Sequence, residues 1–119
     1  MAKKIINVLS KGLIRRQSDA FVTPSDVADN DNALIPSALE EDAFEASNAI
    51  MVGTAGNVTV RLVRKTKAGA DIDSPVPALQ PGIQYNVEAF KQVMATGTTA
   101  TNIWVGVTAW QINPGVPGA

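Results

Sequence analysis

The sequence predicts an all-β fold: a small antiparallel β-sandwich or barrel with an extended N-terminal arm and a Pro/Gly-rich C-terminal tail. Three observations predict it. First, apolar residues alternate with polar ones through the second half of the chain, at Val58, Val60 and Leu62, at Ile83, Tyr85, Val87 and Ala89, and at Ile103, Val105, Val107 and Ala109. That period of two belongs to half-buried strands. Second, the runs are separated by turn-forming stretches, Gly53-Thr54-Ala55-Gly56-Asn57, Pro81-Gly82 and Ala95-Thr96-Gly97-Thr98-Thr99-Ala100. Third, 119 residues suffice for one domain with arms, since domains most often run about 100–150 residues.

The expected organisation is a basic arm over residues 1–19, a single β domain over 20–110 with an acidic insertion at about 32–48, and a tail over 111–119. Charge is segregated along the chain. Lys3, Lys4, Lys11, Arg15 and Arg16 precede any acid, and Asp19, Asp26, Asp29, Asp31, Glu40, Glu41, Asp42 and Glu45 then follow with no base before Arg61. Such asymmetry suggests separate contacts for the two segments. The apolar residues Ile5, Ile6, Val8, Leu9, Leu13 and Ile14 fit either a short amphipathic helix, weakened by Gly12, or an extended strand. The arm either docks on a partner or stays as a frayed terminus or edge strand of its own domain.

Thr23 to Asn32 is loop chemistry, because Asp, Asn and Ser side chains satisfy nearby backbone donors. From Pro36 to Ala46 a short helix is expected, with Ser37 and Glu40 spaced as a capping box and acids in the first turn; the alternative is a solvated acidic loop. Ala49-Ile50-Met51-Val52 and Val58 to Val63 are two strands, and the tight turn between them predicts a hairpin. Lys65 to Pro81 is a polar, Pro-rich excursion. The strand from Ile83 continues past Phe90 to Val93 with a change of face at a bulge. Thr101 to Trp110 is the last strand. It carries Trp104 and Trp110 on its outer face, where they are either buried between sheets or act as interface anchors.

Composition excludes several chemistries. The chain has no Cys and no His, which removes thiolate nucleophiles, disulfides, Cys-rich zinc sites and most acid–base dyads. A formal net charge of −1 provides no field for a polyanion. No run of 18 apolar residues spans a bilayer, and Lys3 to Leu9 is too short for an export signal. Gly53 to Gly56 lacks the following helix and the Gly-Lys-Ser/Thr of a phosphate loop. Asp26, Asp29 and Asp31 fail the EF-hand spacing. Glu40, Glu41, Asp42 and Glu45 form a solvated face rather than carboxylates opposed across a cleft. Asn57-Val58-Thr59 matches a glycosylation acceptor without an export signal. No catalytic, metal-binding or cofactor-binding residues are expected. The interface candidates are Lys3, Lys4, Arg15, Arg16, Trp104 and Trp110.

Ile50-Met51-Val52-Gly53-Thr54-Ala55-Gly56-Asn57-Val58-Thr59-Val60, with Ala95-Thr96-Gly97-Thr98-Thr99-Ala100-Thr101-Asn102-Ile103 downstream and Phe21-Val22-Thr23-Pro24-Ser25-Asp26 upstream, resembles the spike base protein family of tailed bacteriophages and gene transfer agents. The likeness spans residues 20–105 discontinuously, in the family's order. It implies a virion structural protein on the capsid surface, made in the host bacterial cytoplasm, and it transfers no catalytic residue. The chain departs from the family in its acidic insertion, in Asn57 where the family often has Asp, and in the long excursion over 65–81. A head spike base, a decoration or cement protein and a tail accessory are all compatible with it. The implied partners are the chain itself, as a trimer or pentamer, the major capsid protein, and a spike or fibre protein, with no nucleic acid and no membrane. The alternative is a tail or fibre module that binds host receptor or glycan through Trp104, Trp110 and Tyr85. A carboxylate-only hydrolase using Glu40 or Glu45 is a third class.

Overall fold

The computed structural model describes residues 4–6, 15–27, 30–37 and 41–108. Eight strands form in chain order: β1 (Lys4–Ile6), β2 (Arg15–Gln17), β3 (Leu34–Pro36), β4 (Ala43–Thr54), β5 (Gly56–Lys65), β6 (Asp71–Leu79), β7 (Tyr85–Met94) and β8 (Thr101–Thr108). No helix occurs among the described residues, and the class is all-β as the alternation predicts.

The main path of hydrogen-bonded neighbours runs β2-β8-β4-β7-β5-β6. The first half of β4 carries two further neighbours, β1 in parallel and β3 antiparallel. Beyond β6 the chain returns to β4. Pro81 bridges Val52, and the Gly82 N–H donates to the Val52 carbonyl at 3.1 Å. One bridge therefore ties the stretch just after β6 back to β4 and curls β4-β7-β5-β6 at that end, while β6 itself ends the path as an edge strand.

The core lies inside this curl. Val58, Val60 and Leu62 of β5, Phe90 and Val93 of β7, Ile50 and Val52 of β4, and Ile103 and Val105 of β8 are buried together with Leu79 and Ala100. Their alternate neighbours face outward, which is the pleat expressed as burial. The change of face in β7 is present. Between Phe90, opposite Ser47, and Asn86, opposite Ala49, the register shifts by a bulge.

Three expectations are corrected. The helix over Pro36–Ala46 does not form: Leu34–Pro36 and Ala43–Ala46 are paired strands, and the Ser37 N–H donates to the Ala43 carbonyl at 2.9 Å. Pairing on two sides outweighs a weak local helix signal. Glu45 consequently sits 1% exposed between β1 and β3 instead of on a solvated face.

β4 and β5 do not form a hairpin either, because β7 lies between them. The glycines of that corner serve a different need. A Cβ on Gly53 would come within 2.9 Å of the Asn102 Cβ, and one on Gly56 within 2.6 Å of the Ala100 N. They admit the incoming Ala100–Asn102 backbone.

The excursion over Lys65–Pro81 contains β6, which pairs with β5 around a turn held by Thr66 and Gly69. Pro75 and Pro77 share a parity, so both missing donors fall on one side of an edge strand, where proline is tolerated.

Candidate functional site

Asp26 anchors the most heavily bonded polar cluster of the described residues. It sits on the Val22–Asn32 loop, which runs where β4 and β7 part. The Ser25 N–H donates to the Val93 carbonyl at 3.0 Å, and the Ala33 N–H to the Lys91 carbonyl at 3.2 Å. The Asn32 amide completes this substitute ladder, accepting from the Val93 N–H at 2.8 Å. Beneath the loop the buried Gln92 donates to the Ser25 and Val27 carbonyls at 2.8 and 2.9 Å.

The Asp26 carboxylate then crosses to the Ala95–Ala100 loop. It accepts the Ala95 N–H at 2.8 Å, the Thr96 N–H at 3.0 Å, and the Thr96 hydroxyl. These bonds, led by the Thr96 hydroxyl, hold the Asp26 carboxyl below its ordinary value of 3.8, against a smaller opposing effect of burial.

The Ala95–Ala100 loop is tied in turn to the β4–β5 corner. The Asn57 carbonyl accepts from the Thr99 and Ala100 N–H groups at 2.8 and 3.1 Å. The Asn57 and Thr59 N–H groups donate to the Thr99 and Thr98 hydroxyls at 2.9 and 3.0 Å. The Asn57 side-chain oxygen accepts the Ala78 N–H at 2.9 Å. Only an acceptor is used there, and an aspartate would supply the same atom. Gly97 takes φ +87 with the Thr59 hydroxyl against its open side. Thr23–Asp26, Gly53–Asn57 and Ala95–Asn102 thus form one connected cluster, although they lie far apart in sequence.

A second feature is the outer face of β8. Trp104 is 37% exposed and Phe21 is 50% exposed, and their rings pack at 4.9 Å with a 50° tilt. Beside them lies a shallow pocket of about 100 Å³ lined, among the described residues, by uncharged side chains that include Gln17, Met51, Gln84 and Trp104. The opposite face of β8 is core. Among the described residues Trp104 is therefore covered in part by Phe21 of the preceding loop and by no second sheet.

Of the other interface candidates, Lys4 lies exposed in β1 beside Ala43 of β4. Arg15 and Arg16 lie in β2, opposite Thr108 and Val107 of β8. These described parts of the arm belong to the domain's own sheet. Lys3 and Trp110 lie outside the described residues, as does the tail over 111–119, so the structure brings no site together from the six.

Ion pairs join neighbouring strands on the charged surface. Arg61 of β5 meets Asp73 of β6 through two bonds of 2.8 and 3.2 Å. Arg64 meets Glu88 of β7 at 2.6 and 3.1 Å, which lowers the Glu88 carboxyl. Among the described residues no three acids come together as a cation site, and no helix is long and apolar enough to cross a membrane.

Sequence reading missed Asn32, Asn48, Gln92 and Phe21. The three amides act through distant backbone, which no local spacing signals. Phe21 next to a turn motif was a visible aromatic whose partner only the fold supplies. No protein-family model, curated protein or solved structure matches the chain.

Proposed function

We propose that the chain is a non-enzymatic structural protein of a tailed-bacteriophage virion. It decorates the capsid surface as a homo-oligomer in contact with the major capsid protein, with the head spike base as its leading place. One observation supports the reading above others: the three sequence segments that resemble the spike base family bond to one another at one end of the domain. Asp26 joins the first segment to the third, and Asn57 joins the second to the third. A likeness spread over separate turns is more telling when those turns form one physical unit, because their residues then constrain each other.

The test is direct. Purified particles of the phage that encodes the chain are analysed by mass spectrometry, and capsids lacking the protein are mixed with it and sedimented. The reading predicts the protein in particles at a fixed ratio to the major capsid protein, and co-sedimentation. Its absence from particles, or failure to bind the capsid, sinks the reading.

The exposed Trp104 beside an uncharged pocket favours a second reading, a tail or fibre module that stacks a sugar ring. A glycan-dependent shift in tryptophan fluorescence supports it, and no shift across a broad glycan panel counts against it.

A further inference from the structure

The path of strands ends at β2, and the outer side of β2 has a geometry of its own. The Ser18 N–H donates to the Val105 carbonyl at 2.8 Å, and Arg16 stands opposite Val107. Alternate residues of a strand offer their N–H and C=O groups to alternate sides. Arg16 and Ser18 therefore turn theirs toward β8, and Arg15 and Gln17 turn theirs away. Among the described residues no strand pairs with that outer side. The chain bends at Asp19 and Ala20, so the free edge is short.

We propose that this edge is a contact surface for a second copy of the chain, paired antiparallel about a two-fold axis through Gln17. Such a contact must be its own complement, each residue i meeting j and each j meeting i. The segment Arg15-Arg16-Gln17-Ser18-Asp19 meets that demand. Gln17 faces Gln17 of the second copy, and the two exchange both backbone hydrogen bonds. Arg16 stands opposite Ser18, and Arg15 comes level with Asp19, where the chain begins to bend, so a base is set near an acid twice. Opposite charges at facing positions of an antiparallel pair favour it, and like charges oppose it. Moving the axis to Arg16 sets arginine against arginine, so charge selects the register as well as the partner.

The inference rests on the reading of the chain as a homo-oligomeric part and narrows it. An isologous contact builds even-numbered assemblies, unlike a closed trimer or pentamer.

Light scattering of the full chain at several concentrations tests it, with circular dichroism to verify folding of each variant. The wild type is expected as a dimer, or a multiple of one, that dissociates on dilution. Gln17→Pro removes an outward N–H and leaves the bonds to β8 intact, so it is expected to weaken association about tenfold or more with folding retained. Asp19→Arg sets like charges opposite each other and is expected to weaken it about tenfold, and adding Arg15→Asp in the same chain restores it. A monomer at every concentration, a trimer or pentamer, or unchanged association in Gln17→Pro overturns the contact. A trimer found in particles would overturn it and leave the virion reading standing, whereas a dimer absent from particles would do the reverse.

Discussion

Asn48 does with its side chain what its neighbours do with backbone. It sits between Ser47 and Ala49, where the register of β4 against β7 shifts. Its amide donates to the Thr108 carbonyl at 2.6 Å and accepts the Thr108 N–H at 2.8 Å, all within buried surroundings. Replacing it by leucine keeps the bulk and orphans both Thr108 groups. An unsatisfied buried polar group costs about 1–3 kcal/mol, so Asn48→Leu is expected to lower unfolding stability by about 2–3 kcal/mol. A urea titration checks this, and a loss of less than half a unit of free energy would mean that the β8 end opens to water instead. Ala78 presents the opposite case. It holds φ 60, a left-handed conformation, with its N–H on Asn57. That conformation costs a non-glycine residue about 1–2 kcal/mol. Glycine removes the strain but adds about 0.4–1 kcal/mol of unfolded-chain entropy to lose. Strain wins narrowly, so Ala78→Gly is expected to raise stability by up to about 1 kcal/mol, read as a higher urea midpoint.

At the scale of elements, the Val22–Asn32 loop takes the place of a strand. Backbone bonds from Ser25 and Ala33, and the Asn32 amide, satisfy β7 at Lys91 and Val93 where β4 has moved away. The loop's far anchor is the Asp26 carboxylate on Ala95 and Thr96. Because this carboxyl is held below 3.8 in the folded chain, the unfolded state binds its proton first as pH falls. The anchor's stabilisation is therefore full above pH 3.8, the ordinary value, and is lost as pH drops through the lower folded value. Hydrogen exchange gives the readout. In Asp26→Asn, Ala95 and Thr96 are expected to exchange faster at neutral pH, and the acid-dependent opening of this loop seen in the wild type is expected to shrink. Equal acid sensitivity in the variant would place the titrating group elsewhere. The loop also shows the limit of local reading. Its Thr-Pro-Ser-Asp chemistry marks a turn, which was legible, but the same residues do not reveal that the turn closes the gap beside β7. β6 was illegible for a related reason. Proline argues against a strand unless its position on an edge is known, and position is a property of the whole sheet.

At the scale of the molecule, alternation told which residues form strands and which face is core, at Val58 to Leu62 and Ile103 to Val107, because period two is local. Partnership was not legible, because it depends on loops closing over long distances. The Gly53–Asn57 corner looks like a hairpin turn, yet its glycines admit Ala100–Asn102. Of the paired neighbours, only β3–β4 and β5–β6 are consecutive in the chain. Every other pairing must meet the entropy of closing a long loop before it gains contacts, which places refolding in the millisecond-to-second range. The β5–β6 hairpin is the longer of the two local pairings, ten residues against nine around a short turn, and it adds the Arg61–Asp73 ion pair. It is the expected first structure. Gly69 in its turn holds φ +88 with open space where a Cβ would stand, so Gly69→Ala adds backbone strain of about 1 kcal/mol and no clash. If the hairpin is formed in the transition state, that strain slows folding about fivefold and leaves unfolding nearly unchanged. Asn48→Leu, at the late-docking β8 end, is expected to speed unfolding and spare the folding rate. Stopped-flow refolding of the two variants decides the order. The reverse pattern would put the β4–β8 pairing, the longest-range contact of the core, at the start of folding.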